Sequence, residues 1–307
     1  MGSKGAKKTT RNRLPTSKAD HITAYLMILP AFAILAVFVL YPLYMAVTKS
    51  FTNWSFYGET QFVGFENYRQ VIRNAYFQKS LVNSLKFVLI LVPSQIFLAF
   101  LFAHAVKKLT GGFGTFVKVS IYVPTVIAGV VASVIFIFIL DYRAGLVNQM
   151  LKVFGLPRMA YANNPLLATI AVCLVVIWLG FGYNTLVFYA GLLNIPKEYY
   201  EAAQVDGANA FEQLIKITLP SLKNIFVLVS INLVTGSLQL YDIPYMLTGG
   251  GPAQTTQTPM IYLLNNFRDM SKNMGLTLSG AILMMIIIGL CSSVVFRIIS
   301  SEKSMDA

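Results

Sequence analysis

Charge is what this sequence has least of. Only 12% of its 307 residues are Asp, Glu, Lys or Arg, while 56% are hydrophobic. A soluble globular chain carries roughly 25% charged residues, and half that supply cannot cover a water-facing surface of this size. Much of the surface must therefore face lipid. Cysteine and histidine are scarce too: Cys173 and Cys291 both lie inside apolar runs, and His21 and His104 are far apart. Unpaired cysteine in such runs is ordinary packing, and two distant histidines make no zinc-type cluster. No G-x-x-x-x-G-K-[ST] run occurs; Gly111-Gly112-Phe113-Gly114 lacks the spacing and the following Lys-Ser/Thr pair. Energy for uphill work must come from another polypeptide or an ion gradient. A gradient-driven carrier needs an intramembrane carboxylate, and Asp242, near a span end, is the one candidate. A membrane enzyme needs clustered His, Asp or Glu beside the apolar runs, and none is seen in the sequence.

What is abundant is apolar length. A helix needs about 20 apolar residues to cross a bilayer. Six stretches qualify: 22–48, 81–106, 117–140, 166–193, 222–243 and 276–300. The fold class expected is all-α, a polytopic membrane protein with six transmembrane helices forming one domain over 22–307. The basic tail 1–21 precedes it. The run Ile22–Val47 is too long for a signal-peptide core of about 7–15 residues, and no small-x-small cleavage site follows. It reads as an anchor that stays in place.

The net charge of +12 does not point to nucleic acid, because the cations are scattered between apolar runs except in the tail. Lys4, Lys7, Lys8, Arg11, Arg13 and Lys18 crowd that tail, which suits anionic lipid headgroups and a cytoplasmic location. An even number of spans then makes both termini cytoplasmic. Lys107, Lys108, Lys118, Lys197, Lys216 and Lys223 fall on the same side, a modest bias against the outer loops. The first outer loop is aromatic, with Trp54, Phe56, Tyr57, Phe62, Phe65, Tyr68 and Tyr76. Interfacial anchoring and docking of an external partner both fit it. Gly249-Gly250-Gly251-Pro252 predicts a tight, irregular turn.

The segment Ile195–Pro220, IPKEYYEAAQVDGANAFEQLIKITLP, lies between the fourth and fifth spans. Pro196 suits a first helical turn, and strong helix formers follow from Glu198 to Val205. Asp206-Gly207 interrupts. Asn209 with Glu212 three residues on predicts a capping box. Phe211, Leu214, Ile215 and Thr218 then share one face, predicted to pack against the spans, and Pro220 marks the turn into the fifth span. Two short helices with a small-residue bend make a rigid cytoplasmic handle. An ordinary interfacial amphipathic connector fits these features equally well.

The residue pattern goes further. Glu201-Ala202-Ala203, Asp206-Gly207-Ala208 and Ile217-Thr218-Leu219-Pro220 resemble the EAA loop of binding-protein-dependent ABC import permeases. Leu29-Pro30, Tyr41-Pro42, Phe62-Val63-Gly64-Phe65-Glu66-Asn67-Tyr68 and Leu247-Thr248-Gly249-Gly250-Gly251-Pro252 resemble the sugar-importer branch, which includes maltose, multiple-sugar and glycerol-phosphate permeases. The resemblance covers nearly the whole chain and implies the type I (MetI-like) permease fold.

It also implies partners: a second homologous permease, two ATPase subunits that bind ATP and Mg, and an external solute-binding protein, with no cofactor in this chain. Glu201, Ala202, Ala203, Asp206, Gly207, Ala208, Phe211 and Pro220 would couple to the ATPase. Glu201 would pair with a basic residue there, and Gly207 would supply the bend. The substrate implied is a sugar or oligosaccharide; glycerol-phosphate or another polyol-like solute is the alternative. In Trp178-Leu179-Gly180-Phe181-Gly182-Tyr183, the residues Leu179, Gly180 and Tyr183 match family contact positions. Val176 departs from the maltose-type asparagine. Leu233, Gly236, Ser237 and Leu240 replace a Ser, Phe, Asn, Asn set, which argues against maltose itself; Tyr241 joins them as a candidate. Asn184, Ser230, Asn232, Gln239 and Asp242 are further polar groups within spans, where helix–helix hydrogen bonding is the competing role.

Overall fold

The computed structural model describes residues 18–269 and 273–300. Residues 1–17 of the basic tail lie outside the described residues, as do 270–272 and 301–307. The chain forms two compact units, Met1–Lys49 and Ser50–Ala307.

The first unit is helical. α1 (Lys18–Leu35), a π-helical turn (Ala36–Leu40) and α2 (Tyr41–Ser50) succeed one another, and Ile22–Ser50 is long and apolar enough to cross a membrane. The π turn has a local cause. Pro42 has no N–H, and its ring would strike the carbonyl four residues back in a regular α-helix. The chain widens just before it, and Tyr41 N–H donates five residues back, to Ala36 O.

The second unit begins with a loop tied down by Asn67. Its Nδ2 donates to Ser50 O at 2.7 Å and Thr52 O at 2.8 Å. Phe51 meets Phe65 and Tyr68 with ring centroids 5.2 and 5.3 Å apart. α3 (Glu66–Arg73) leads into the 33-residue α4 (Ala75–Lys107), started by the Asn74 side chain, which accepts from the N–H groups of Tyr76 and Phe77. The next elements are α5 (Gly111–Tyr122), α6 (Gly129–Ile139), α7 (Leu146–Val153) and α8 (Pro165–Leu193). α8 starts with Asn164 as cap and Pro165 in the first position. Then come α9 (Lys197–Val205), α10 (Ala210–Gln213), α11 (Leu219–Ser221) and α12 (Lys223–Leu238). α13 (Asp242–Thr248), α14 (Pro259–Arg268) and α15 (Met274–Ser300) complete the unit.

Four described helices are long and apolar enough to span a membrane; two bent pairs raise the number to six if each pair crosses once. The third apolar stretch is one of these pairs, not a continuous helix. It breaks between Val126 and Gly129 with a bend of 99°. Pro124 removes a helical N–H, and Ile127 and Ala128 are extended. The fifth stretch, expected to reach 243, stops being helical at Leu238. Residues 239–241 turn the chain, and α13 starts afresh at Asp242. Gly249 and Gly250 then take φ of +60° and +84° in the tight turn their run predicts.

α4 and α8 form the centre, with α12 against both. Phe87, Leu91, Val172 and Val175 are buried in one half of this contact; Ala99, Ala103, Phe188, Leu192 and Leu222 are buried in the other. Small residues set the spacing, as in other membrane helix pairs. A methyl at Gly191 would come within 2.8 Å of Leu222 and 2.9 Å of Ile225. Elsewhere the apolar side chains point outward: Leu89, Phe97, Phe138, Leu166 and Leu290 are all exposed. An exposed apolar surface on this scale suits lipid or other membrane subunits, not water.

Candidate functional site

Two places in the second unit carry the sequence candidates. The first is the segment 195–220. α9 ends in a Schellman motif. Ala208 N–H donates to Ala203 O at 2.8 Å and Gly207 N–H to Gln204 O at 3.1 Å. The motif needs a left-handed residue, and Gly207 supplies it with φ +80°. A β-carbon there would meet nothing within 4 Å. Backbone conformation, not crowding, is therefore what asks for glycine.

Asn209 then starts α10 with the capping box its spacing predicts. Its Oδ1 accepts from Phe211 and Glu212 N–H at 3.0 and 2.9 Å, and Glu212 Oε2 accepts from Asn209 N–H at 2.9 Å. The two short helices are tied together by Tyr200 Oη and Thr218 Oγ1, 2.9 Å apart. Lys107, at the end of α4, stands 5.3 Å from the Tyr200 ring centroid.

The expected single apolar face is altered. A second π turn, Leu214–Thr218, again precedes a proline, Pro220, and Leu219 N–H donates to Leu214 O. That wider turn breaks the 3.6-residue rhythm. Thr218 is buried and Ile217 packs on the helix core. Phe211 and Ile215 point away, 67% and 46% exposed. Val205, at the bend, is 88% exposed.

Glu201, Ala202, Asp206, Gly207 and Pro220 are exposed as well, and Ala203 and Ala208 are half-buried. A hollow of ≈ 320 Å³ opens here, lined by Ala203, Asp206, Gly207, Ala208, Glu212, Gln213, Lys216 and Ile217. The Lys216–Glu212 pair at 3.7 Å is largely exposed, so it adds little stability. Such a surface, with bare apolar side chains and small residues at a bend, can admit another protein closely.

The second place is a cavity of ≈ 340 Å³ between the long helices. α8 contributes Val176, Leu179, Gly180, Tyr183 and Asn184; α12 contributes Asn232, Leu233, Gly236 and Ser237. Five of the seven substrate candidates thus meet in one cavity. Leu240 and Tyr241 do not line it. Leu240 is buried in the core beside Ile243 and Leu247, and Tyr241 stacks on Tyr245 with centroids 5.4 Å apart. α12 ends at Leu238, before both of them, and the turn that follows carries them away from the cavity.

Three lining residues were not read as candidates: Gln95 from α4, Thr125 from the break in the third stretch, and Ile243 from α13. Asn184 Nδ2 donates to Gly180 O at 3.1 Å and to Gln95 Oε1 at 3.2 Å. Thr125 Oγ1 donates to Leu179 O at 2.9 Å and so ties the break to α8. The polar pair Ser94-Gln95 within the apolar run of α4 was the available signal for Gln95.

A larger cleft of ≈ 520 Å³, lined by Ile90, Leu98, Phe102, Ile170, Leu174 and Phe181 among others, is almost wholly apolar. Its one hydroxyl, Thr169, donates to Pro165 O at 2.9 Å. It offers no polar group to orient a solute, unlike the smaller cavity. Among the described residues no group of three or more His, Cys, Asp or Glu could hold a metal.

The family model described as "binding-protein-dependent transport system inner membrane component" matches residues 95–304. The sulfoquinovosyl glycerol transport system permease of Agrobacterium fabrum is 34% identical over 80% of this chain and 80% of its own. The trehalose/maltose transport system permease of Thermococcus litoralis is 30% identical over 82% of this chain and 86% of its own. The sn-glycerol-3-phosphate transport system permease of Escherichia coli is 29% identical over 91% and 94% respectively. Among solved structures, a bacterial ABC transporter that imports alginate superposes with a TM-score of 0.80 at 18% identity, covering 93% of this chain and 98% of that one. A bacterial alginate transporter in complex with its pentasaccharide-bound periplasmic protein gives 0.76 at 22%, covering 92% and 96%. At those identities the superpositions speak for the fold.

Proposed function

This chain belongs to the family of inner-membrane components of binding-protein-dependent transport systems, and from that membership we propose that it imports a sugar or oligosaccharide, driven through the segment 195–220 by a separate ATPase. It is a permease subunit and not an enzyme, and the family carries no cofactor of its own. Relatives named for trehalose/maltose and for sulfoquinovosyl glycerol support a glycan substrate. Relatives named for glycerol 3-phosphate keep a polyol phosphate as the second reading.

The handle is the observation that carries the mechanism. The Schellman motif fixes the end of α9, the capping box fixes the start of α10, and the Tyr200–Thr218 contact ties α9 to the π turn that follows α10. A push on this rigid piece passes through the π turn and Pro220 into α12, which lines the cavity. ATP and Mg would be held by two ATPase subunits whose closure moves the handles of this chain and of a second permease. An external solute-binding protein would deliver the sugar on the other face; the aromatic outer loop is a surface it could use. Both termini then lie in the cytoplasm. Glu201 and Asp206 offer carboxylates to a basic partner, and Val205 and Phe211 offer apolar contact. Two sites that bias one two-state element are the physical content of such coupling.

Co-expression with the genes of its partners tests this. The chain should purify with an ATPase, and cysteines at Ala202 and Asp206 should cross-link to it. A chain that purifies alone and moves solute in liposomes without ATP would end the importer reading.

A further inference from the structure

The cavity wall fixes the direction of one hydrogen bond to the solute. Asn184 Nδ2 faces the backbone carbonyl of Gly180 at 3.1 Å. A carbonyl only accepts, so the atom facing it must be the amide nitrogen. That nitrogen's other contact, at 3.2 Å, is a side-chain atom of Gln95. An atom that receives a bond from nitrogen must be Oε1. The orientation of the Gln95 amide is thereby set by a backbone group two steps away, and its Nε2 is left over. Nε2 has no partner among the described residues, although Gln95 is only 2% exposed and lines the cavity. Nε2 is not among the side-chain atoms that are both fully buried and unpaired, so it keeps open surface from which it can donate to a bound acceptor.

Gly180 protects this arrangement. A methyl there would strike Gln95 Oε1 and stand 3.6 Å from its Nε2. The remaining wall is polar and uncharged. Thr125 has spent its proton on Leu179 O and offers lone pairs. Asn184 keeps its carbonyl oxygen, and Tyr183, Asn232 and Ser237 can donate or accept. Among the described residues no Asp, Glu, Lys, Arg or His lines the cavity. A carboxylate or phosphate brought here would lose its water and find no counter-charge in this wall, an expensive exchange.

We infer that Gln95 is the specificity-determining donor of this subunit's share of the pore, and that it selects an uncharged sugar residue by donating from Nε2 to one of its hydroxyl oxygens. The inference rests on the importer reading and names the substrate class for it. Gln95 would act on the sugar directly, while Gly180 and Asn184 position it.

The test is a cycle between protein and sugar in the reconstituted complex with its partner permease, ATPase and binding protein. Uptake of a neutral oligosaccharide and of its monodeoxy analogues is measured for wild type, Gln95→Leu and Gln95→Met. Assembly of each complex is checked by gel filtration. Loss of one ordinary hydrogen bond corresponds to roughly a tenfold lower rate. One deoxy analogue should suffer that loss in wild type and almost none in the variants, because the donor is already gone. If no analogue is coupled to Gln95, the assignment is wrong, even though the complex imports sugar. If wild type carries uronate oligosaccharides or glycerol 3-phosphate faster than neutral sugars, the substrate class is wrong. If wild type imports no sugar with ATP, the importer reading itself fails.

Discussion

Replacing Gly207 separates a conformational demand from a steric one. The residue holds φ +80° in the Schellman motif between α9 and α10, and open space surrounds its missing side chain. Alanine would therefore not clash; it would only resist the left-handed conformation, at a cost of about 1–2 kcal/mol. Asparagine tolerates that region better, and valine, branched at Cβ, worse. A cost of about 1 kcal/mol moves a local equilibrium about fivefold and leaves a stable domain folded. The Ala208 N–H, bonded to Ala203 O at 2.8 Å, reports that equilibrium. Its hydrogen exchange should speed up about fivefold in Gly207→Ala, less in Gly207→Asn and more in Gly207→Val. ATP-driven uptake should fall in the same order, with the chain still in the membrane. Equal exchange in all four proteins would refute the conformational reading. Exchange in the expected order with undiminished uptake would refute the handle.

Other perturbations follow from the same geometry. Glu201→Lys should abolish uptake while leaving membrane insertion intact, read by transport against membrane fractionation. Asn209→Ala removes the capping box and should cost roughly 1 kcal/mol of local stability, seen as faster proteolysis within 195–220; Asn209→Ser should restore resistance. Gly182→Ala would drive a methyl into the backbone carbonyl of Ile121, and overpacking of that kind costs about 1–3 kcal/mol, measurable as a lower Tm. In the loop after α6, bonds from the Ala144 and Arg143 N–H groups hold the Asp141 carboxyl below its usual value of 3.8. A depressed carboxyl stabilises above its unfolded value and loses that effect as pH falls through the folded one. The turn should thus survive mild acid, and a titration midpoint at or above 3.8 would contradict this.

The apolar runs announced helices of membrane-spanning length, because nothing else satisfies the backbone in lipid. The breaks were harder to read. Pro124 and Gly129 sit in an unbroken apolar run, and hydropathy is blind to the 99° bend they permit. A methyl at Gly129 would strike the Asp242 carboxylate; that tertiary contact, joining residues far apart in sequence, leaves no local pattern. Both π turns are legible afterwards from Pro42 and Pro220, but proline alone also allows a kink or a stop. The capping box at Asn209 was readable because its chemistry spans three residues. Leu240 and Tyr241 lie outside the cavity because α12 ends at Leu238, a helix end that hydropathy continuing to 243 does not announce. Gln95 was missed because a lone amide in an apolar helix looks like helix–helix glue, and only its neighbours Gly180 and Asn184 give its nitrogen a direction.

The central claim is that a separate ATPase drives this chain to move sugar. The most direct measurement is accumulation of labelled oligosaccharide in proteoliposomes holding this chain, its partner permease and the ATPase, with binding protein added on the opposite face from ATP. Accumulation against a gradient should require both ATP and binding protein. It should collapse when the Glu201→Lys handle replaces the native one. Accumulation that persists without ATP and follows an imposed ion gradient would contradict the account.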